Sequence, residues 1–218
     1  MGGKGLLLLS GGFDSPVAGH LMQQQGLAVD AMHFSLEPVT DDTAERKCRE
    51  LAKALGIDRI YVAKVGDAFA EIAAKCTHRH YFVLSKRFML RVAERIARER
   101  GCGFLVTGEN LGQVSSQTLQ NLTVIDAASK MAVLRPLLGF DKSEIIEVAK
   151  KIGTYEISKG PEICDALGPE RPSTASTLQM IIEEESKFDW QKSVDAVVRA
   201  VKEGKAAQAK AGDPEAGR

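Results

Sequence analysis

At 218 residues, with 44% hydrophobic and 27% charged side chains, the chain has enough apolar surface for one α/β domain, or one domain with a small appendage. Its 29 Lys and Arg balance its 29 Asp and Glu, so no global field draws it to nucleic acid, and any RNA contact needs a local basic patch. The apolar run at Leu6–Leu9 is too short for a signal peptide, nothing approaches membrane length, and the four cysteines (Cys48, Cys76, Cys102, Cys164) lack the paired spacing of a disulfide framework or zinc ribbon, so a cytoplasmic enzyme is expected.

Leu6-Leu7-Leu8-Leu9 reads as a fully buried strand. Ser10-Gly11-Gly12-Phe13-Asp14-Ser15 follows it, and Pro16 to Met22 reads as the opening of a helix, with Ser15 as N-cap and Pro16 at the first helical position. A strand, a Gly-Gly turn and a helix start make a phosphate nest. Backbone N–H groups close on the anion, the Ser10 and Ser15 hydroxyls add donors, and the helix start adds positive potential. Asp14 would repel an anion there unless a cation lies between them, which implies Mg²⁺ with Asp14 as its ligand.

Further along, Leu27 to Phe34 predicts a second strand, Asp41 to Leu55 a helix stopped by Gly56, and Arg59 to Val65 a third strand. Asp67 to Arg100 predicts helix, interrupted near Thr77-His78-Arg79-His80. Gly103 to Thr107 is a short buried strand, Gly108 to Ser129 a long polar segment, Val133 to Leu137 a last strand-like piece, and Lys142 to Ile152 a helix behind Asp141. Thr154 to Thr177 reads as a functional loop, Thr177 to Lys202 as two helices broken around Phe188-Asp189-Trp190, and Gly204 to Arg218 as a frayed tail. Alternating strands and helices predict a doubly wound parallel sheet that binds ligands at the carboxyl ends of its strands. The expected division is one domain over 1–178, a helical C-terminal extension over 179–203, and a tail over 204–218.

No Gly-Lys-Ser/Thr follows the Gly-Gly turn, so it is neither a Walker A loop nor the dinucleotide fingerprint. Ser-Gly-Gly-x-Asp-Ser instead resembles the motif of the PP-loop ATP pyrophosphatases, which transfer AMP from ATP to a second substrate and release pyrophosphate. Three more stretches narrow this: Thr107-Gly108-Glu109-Asn110-Leu111-Gly112-Gln113-Val114-Ser115-Ser116-Gln117-Thr118-Leu119; Leu134-Arg135-Pro136-Leu137-Leu138 leading to Asp141-Lys142; and Ile152-Gly153-Thr154-Tyr155-Glu156 before the loop with Cys164 and Arg171-Pro172-Ser173-Thr174. Over residues 5–178 the chain closely resembles the catalytic domain of the tRNA 4-thiouridine synthetase (ThiI-type) family.

That resemblance implies adenylation of O4 of a uridine in tRNA and replacement of AMP by persulfide sulfur. By position, Ser10 to Ser15 would hold the pyrophosphate portion of ATP, Leu8 and Leu9 would line the nucleotide, and His33-Phe34 would border the adenine. Lys86 would meet phosphates or ribose, Gly108 and Gln117 would close the site, Lys142 would stabilise charge during adenylyl transfer, and Cys164 would work with the incoming persulfide. It further implies a persulfide donor such as a cysteine desulfurase, and it leaves room for a homodimer. Because the loop begins at residue 10, neither the family's N-terminal THUMP region nor a C-terminal rhodanese-like domain is expected, so tRNA would be reached through a separate THUMP-type partner or a transient basic surface. Some archaeal-branch members carry Cys-x-x-Cys where this chain has Phe82 and Ser85, which argues against an iron–sulfur cluster.

Competing readings exist for several residues. His33 alone reads as a strand-end histidine bonded to backbone, and Lys142 alone as a helix-start charge. Cys76-Thr77-His78-Arg79-His80 looks metal-like, but its spacing fits a basic helix junction better. Lys86, Arg87, Arg91, Arg95, Arg98 and Arg100 form a solvated face or an edge for RNA phosphates. For the whole chain, the alternatives are a PP-loop adenylating enzyme acting on a small molecule or another base, and a non-catalytic ATP-binding module.

Overall fold

A computed structural model describes residues 3–112, 117–160 and 167–205. Five parallel strands form the sheet: β1 (Lys4–Leu8), β2 (Ala28–Ser35), β3 (Arg59–Lys64), β4 (Phe104–Val106) and β5 (Val133–Leu134). An antiparallel edge strand, β6 (Lys202–Lys205), completes the order β5-β4-β1-β2-β3-β6. Successive strands move outward from β1 to β3, and the chain then returns to the opposite side of β1 at β4. That reversal makes the carboxyl ends of β1 and β4 the switch point of the sheet, where a crevice opens. Their register sets Leu7 beside Val106.

The apolar run of β1 follows from its place in the middle. Leu6 and Leu7 are fully buried on opposite faces, each in a different core. Leu7, Leu9, Ala31 and Val106 pack against the helices α1 (Asp14–Gln24), α2 (Thr43–Ala54) and α6 (Lys142–Lys151). Leu6, Met32, Tyr61 and Leu105 pack against α3 (Gly66–Lys75), α4 (Tyr81–Glu99), α5 (Leu119–Asp126), α8 (Leu178–Glu185) and α9 (Trp190–Ala200). At about 2 kcal/mol per buried Leu, this two-sided burial fixes the strand order near the loop.

Three expectations need correction. The segment from Gly108 to Ser129 is not wholly a polar loop. Thr118 caps α5 by accepting from the Asn121 backbone, and Leu122, Val124 and Ile125 bury against α4. Within the expected 154–177 loop, a short helix, α7 (Tyr155–Ser158), forms against α2 and α6. The tail does not begin at Gly204, because β6 carries the backbone along β3 through Lys205.

The C-terminal helices belong to the core. Ile181, Phe188, Val194 and Val197 are buried in it. Glu185 takes two arginines from α4, Arg87 at 2.8 Å and Arg91 at 2.6 Å, and the Arg91 guanidinium lies 4.1 Å from the centre of the Trp190 ring. Arg95 pairs with Asp195, Arg98 with Glu94, and Arg100 with Glu203. The arginine face of α4 is therefore matched by carboxylates along its length. An RNA edge there is not what these arginines are placed to form.

Candidate functional site

The hexapeptide turns at the end of β1, inside the switch-point crevice. Ser15 is not the N-cap: α1 starts at Asp14 with Phe13 before it, so Ser15 and Pro16 lie within the first turn, where proline's missing N–H breaks no helical bond. Ser15 faces back along the loop instead. Its hydroxyl accepts from the Ser10 backbone N–H at 2.8 Å, donates to the Ser10 carbonyl at 3.2 Å, and lies 3.0 Å from the Ser10 hydroxyl. The Ser10 hydroxyl in turn accepts from the Gly12 N–H at 3.3 Å. The two hydroxyls thus bond to each other and to the loop backbone.

Two glycines make this geometry possible. Neither Gly11 nor Gly12 has positive φ, so the requirement at Gly11 is space: a Cβ there would sit 2.9 Å from Lys47 Cδ. At Gly108, just beyond β4, a Cβ would sit 2.6 Å from the Ser15 nitrogen and 2.7 Å from the Asp14 carbonyl carbon. The Gly108 backbone is therefore pressed against the start of α1. Asp14 is half-buried at that start.

The other expected residues are arranged around the loop. Leu9 is buried; its N–H donates to the Met32 carbonyl, and its own carbonyl lies 3.2 Å from His33 Nδ1. His33 thus has the backbone partner expected of a strand-end histidine. Cys48 Sγ lies 3.2 Å from the same ring nitrogen, and His33 Nε2 has no partner among the described residues. Burial lowers the pKa of His33, so the ring is neutral at pH 7. Leu8 and Phe34 are half-buried beside the α4-side core. The Phe13 ring packs on Tyr155, with centroids 5.3 Å apart.

Gln117 is buried, and its Oε1 has no partner among the described residues. Lys142 is exposed at the first position of α6, behind an Asp141/Glu144 capping box, on the rim shared by the strand ends. Lys86, expected to meet phosphates or ribose, has its ammonium 2.8 Å from Glu109. Cys164 and Gln113 to Ser116 lie outside the described residues.

Sequence reasoning missed Glu109 and Arg135 as a pair. Glu109, buried at the end of β4, joins Lys86 from α4 and Arg135 from the end of β5, the latter at 2.8 Å. Arg135 also pairs with Asp126 of α5. Burial alone would push the Glu109 carboxyl up, but the two cations overrule it and hold it at about 2. This charged knot ties four elements at the crevice floor. The signal was present in Thr-Gly-Glu-Asn and Leu-Arg-Pro-Leu, though not which residue would meet which.

The Cys76–His80 stretch forms a junction. His78 Nε2 lies 2.9 Å from the Leu167 carbonyl, His80 Nδ1 3.2 Å from the Ser176 hydroxyl, and Thr77 N donates to Glu184 at 2.7 Å. No group of three or more metal-ligating side chains occurs among the described residues. Arg171-Pro172-Ser173-Thr174 docks beside this junction. Ser173 N donates to the Arg79 carbonyl, and the Asn121 amide donates to the Ser173 carbonyl at 2.9 Å and accepts from the Ser176 N–H at 2.9 Å. Burial raises the thiols of Cys48, to about 12, and Cys76, to about 11, so neither is a thiolate at neutral pH.

A family model described as "Thiamine biosynthesis protein (ThiI)" matches residues 1–190. The chain belongs to the ThiI family. It is 43% identical over 200 residues to "Probable tRNA sulfurtransferase" of Caldanaerobacter subterraneus subsp. tengcongensis, covering 88% of this chain and 52% of the relative. With the protein of the same name from Alkaliphilus oremlandii it shares 42% over 205 residues, covering 91% of this chain and 52% of that one. The chain therefore spans about half the length of the curated relatives it matches. The crystal structure of a 4-thiouridine synthetase–RNA complex with bound ATP superposes at a TM-score of 0.88 with 36% identity, over 93% of this chain and 55% of that one. NMN synthetase from Francisella tularensis, at 16% identity and a TM-score of 0.54, shares the fold alone. Within the described residues no helix is long and apolar enough to cross a membrane.

Proposed function

We propose that this chain is the ATP-using catalytic unit of a tRNA sulfurtransferase that converts a uridine in tRNA to 4-thiouridine. The reading rests on one observation: a self-locked Ser-Gly-Gly-x-Asp-Ser loop lies at the β1/β4 switch point of a chain that superposes on a 4-thiouridine synthetase solved with ATP and RNA. ATP supplies the adenylyl group that turns the uridine O4 into a leaving group. The outer sulfur of a persulfide attacks the carbon bearing it, expelling AMP, after which a second thiol cleaves the S–S bond and leaves a disulfide.

The residues present fit a nucleotide. The Gly11 backbone and the N–H groups at the start of α1 would supply donors to the phosphates, and the Gln117 Oε1, without a partner among the described residues, would accept from a nucleotide donor. His33-Phe34 borders the base. Asp14, a hard carboxylate beside that nest, is the residue that would hold Mg²⁺. Lys142, free to move at the rim, stabilises charge as it develops on the α-phosphate. Cys164 handles the persulfide, delivered by a donor such as a cysteine desulfurase. With a near-neutral chain and a neutralised α4 face, tRNA is held through a THUMP-type RNA-binding partner, in the cytoplasm.

Pyrophosphate release by the parent chain and by Asp14→Ala, measured without tRNA and with tRNA supplied together with a THUMP-type RNA-binding protein, tests the reading. The expected result is tRNA-stimulated release by the parent and none by Asp14→Ala, with an unchanged thermal melt. Release indifferent to tRNA would transfer the reading to a small-molecule adenylating enzyme. No release at all, with ATP still bound, would make the chain a binding module.

A further inference from the structure

We infer that Lys47 is a phosphate-binding residue of this site, its ammonium taking the anionic end of the nucleotide held by the Gly11-Gly12 loop. The inference rests on the ATP reading above and adds a residue that the loop motif does not contain. Lys47 lies on α2, more than thirty residues from the loop, and is half-buried. Its stem covers Gly11 closely enough that a Cβ at that position would meet Lys47 Cδ at 2.9 Å. The glycine and the lysine are thus two halves of one cradle: the missing side chain at position 11 is the space the lysine stem fills.

The ammonium is poorly satisfied. Its contact is a long one, 3.4 Å to the Ser158 carbonyl, and among the described residues it forms no ion pair. The other lysines nearby are committed or stacked: Lys159 pairs with Glu156 at 3.0 Å, and Lys150 lies 5.1 Å from the Tyr155 ring. An ammonium carries three donors, and holding a lysine stem against a loop costs side-chain entropy, so a half-buried lysine left with one weak acceptor is placed for a stronger one. Phosphoryl oxygens in the adjoining nest are such an acceptor, bonded to a cation at close range.

The geometry also keeps the lysine in place. Ser158 donates its hydroxyl to the Gly12 carbonyl at 3.2 Å, and Tyr155 stacks on Phe13, so α7 is fixed to the loop that Lys47 covers. Loop, α2 and α7 meet at the ammonium. Among the described residues no carboxylate pairs with it.

The test is calorimetric titration of the full chain with magnesium pyrophosphate, with ATP, and with adenosine. Parent, Lys47→Met and Lys47→Arg are compared, and each is melted without ligand. Methionine keeps the stem that covers Gly11 and removes the charge. The expected result is pyrophosphate and ATP binding weakened about tenfold or more in Lys47→Met, the range of a lost charged hydrogen bond. Adenosine affinity and the melt should be unchanged, and Lys47→Arg should retain most of the affinity. Equal pyrophosphate affinity in Lys47→Met and parent overturns the role of Lys47 while leaving the ATP reading standing. Loss of adenosine binding together with a lowered melt makes Lys47 a packing residue and also overturns it. A parent that binds neither pyrophosphate nor ATP sinks the functional reading itself, and this inference with it.

Discussion

The hydroxyl of Ser158 donates to the carbonyl of Gly12 at 3.2 Å, across 146 residues of chain. The bond is buried, and it makes the phosphate-nest loop depend on a helix at the far end of the domain. Ser158→Ala should cost about 1 kcal/mol, the ordinary worth of one buried hydrogen bond. It should also weaken ATP binding more than a surface change of equal stability cost. Denaturant titration beside ATP titration measures both; unchanged ATP affinity would make the bond merely structural.

Gly108 should admit no side chain. A Cβ 2.6 Å from the Ser15 nitrogen meets helix backbone, which cannot swing aside as a flexible side chain would. Gly108→Ala should lose ATP binding and lower the melting temperature, whereas Gly112→Ala, at a position with open space but positive φ, should cost about 1 kcal/mol and little binding. Parent-like ATP affinity in Gly108→Ala would show that β4 and α1 separate easily.

The Glu109 knot gives stability a definite pH dependence. Its carboxyl sits at about 2, below the ordinary 4.5, so the folded protein binds this proton less readily than the unfolded chain. Its contribution is fully present above the ordinary value and is lost as the pH falls from there toward about 2. Glu109→Gln should remove that acid dependence, leaving Lys86 without its carboxylate and Arg135 with Asp126 alone, and costing on the order of 3 kcal/mol. Melts between pH 7 and 3 check it: parallel curves for parent and variant would contradict the pairing.

The α4 arginines should be silent toward RNA. Arg98→Ala removes a cation already matched by Glu94, so tRNA affinity should change by less than about twofold, within the salt-dependent non-specific range of roughly 10⁻⁴ to 10⁻⁶ M. A filter-binding salt series measures this. A large drop in affinity would return that face to the list of RNA contacts.

Cys164→Ser separates the two half-reactions. A hydroxyl forms no persulfide, so thionucleoside formation with an added persulfide source should stop while pyrophosphate release continues. Ser at Cys48 should cost stability but leave sulfur transfer intact, because that thiol is buried and held protonated. Loss of pyrophosphate release in Cys164→Ser would place the cysteine in ATP binding instead.

The strand–helix order and the loop after β1 were legible in the sequence because each rests on short-range chemistry: an apolar run, a Gly-Gly turn, a helix stop at Gly56 and a break around Phe188-Asp189-Trp190. The family was legible through its motifs. Where local signals mislead, a partner outside the local element is the reason. Ser15 looks like an N-cap by composition, yet its hydroxyl turns to Ser10 because the loop bends back on itself. Residues 118–126 look like loop until Leu122 and Ile125 find the face of α4.

The site divides the same way. The sequence by itself pointed to the loop and Asp14, and the family resemblance added His33, Gly108 and Gln117 as candidates, since motif positions survive without coordinates. Only the tertiary structure could join Lys47 and Ser158 to Gly11 and Gly12, or Arg135 and Lys86 to Glu109, across separations as long as 146 residues. Which cation meets which carboxylate, and which lysine is left over, depends on the helix faces that the two buried sides of β1 bring together. No local pattern records that pairing.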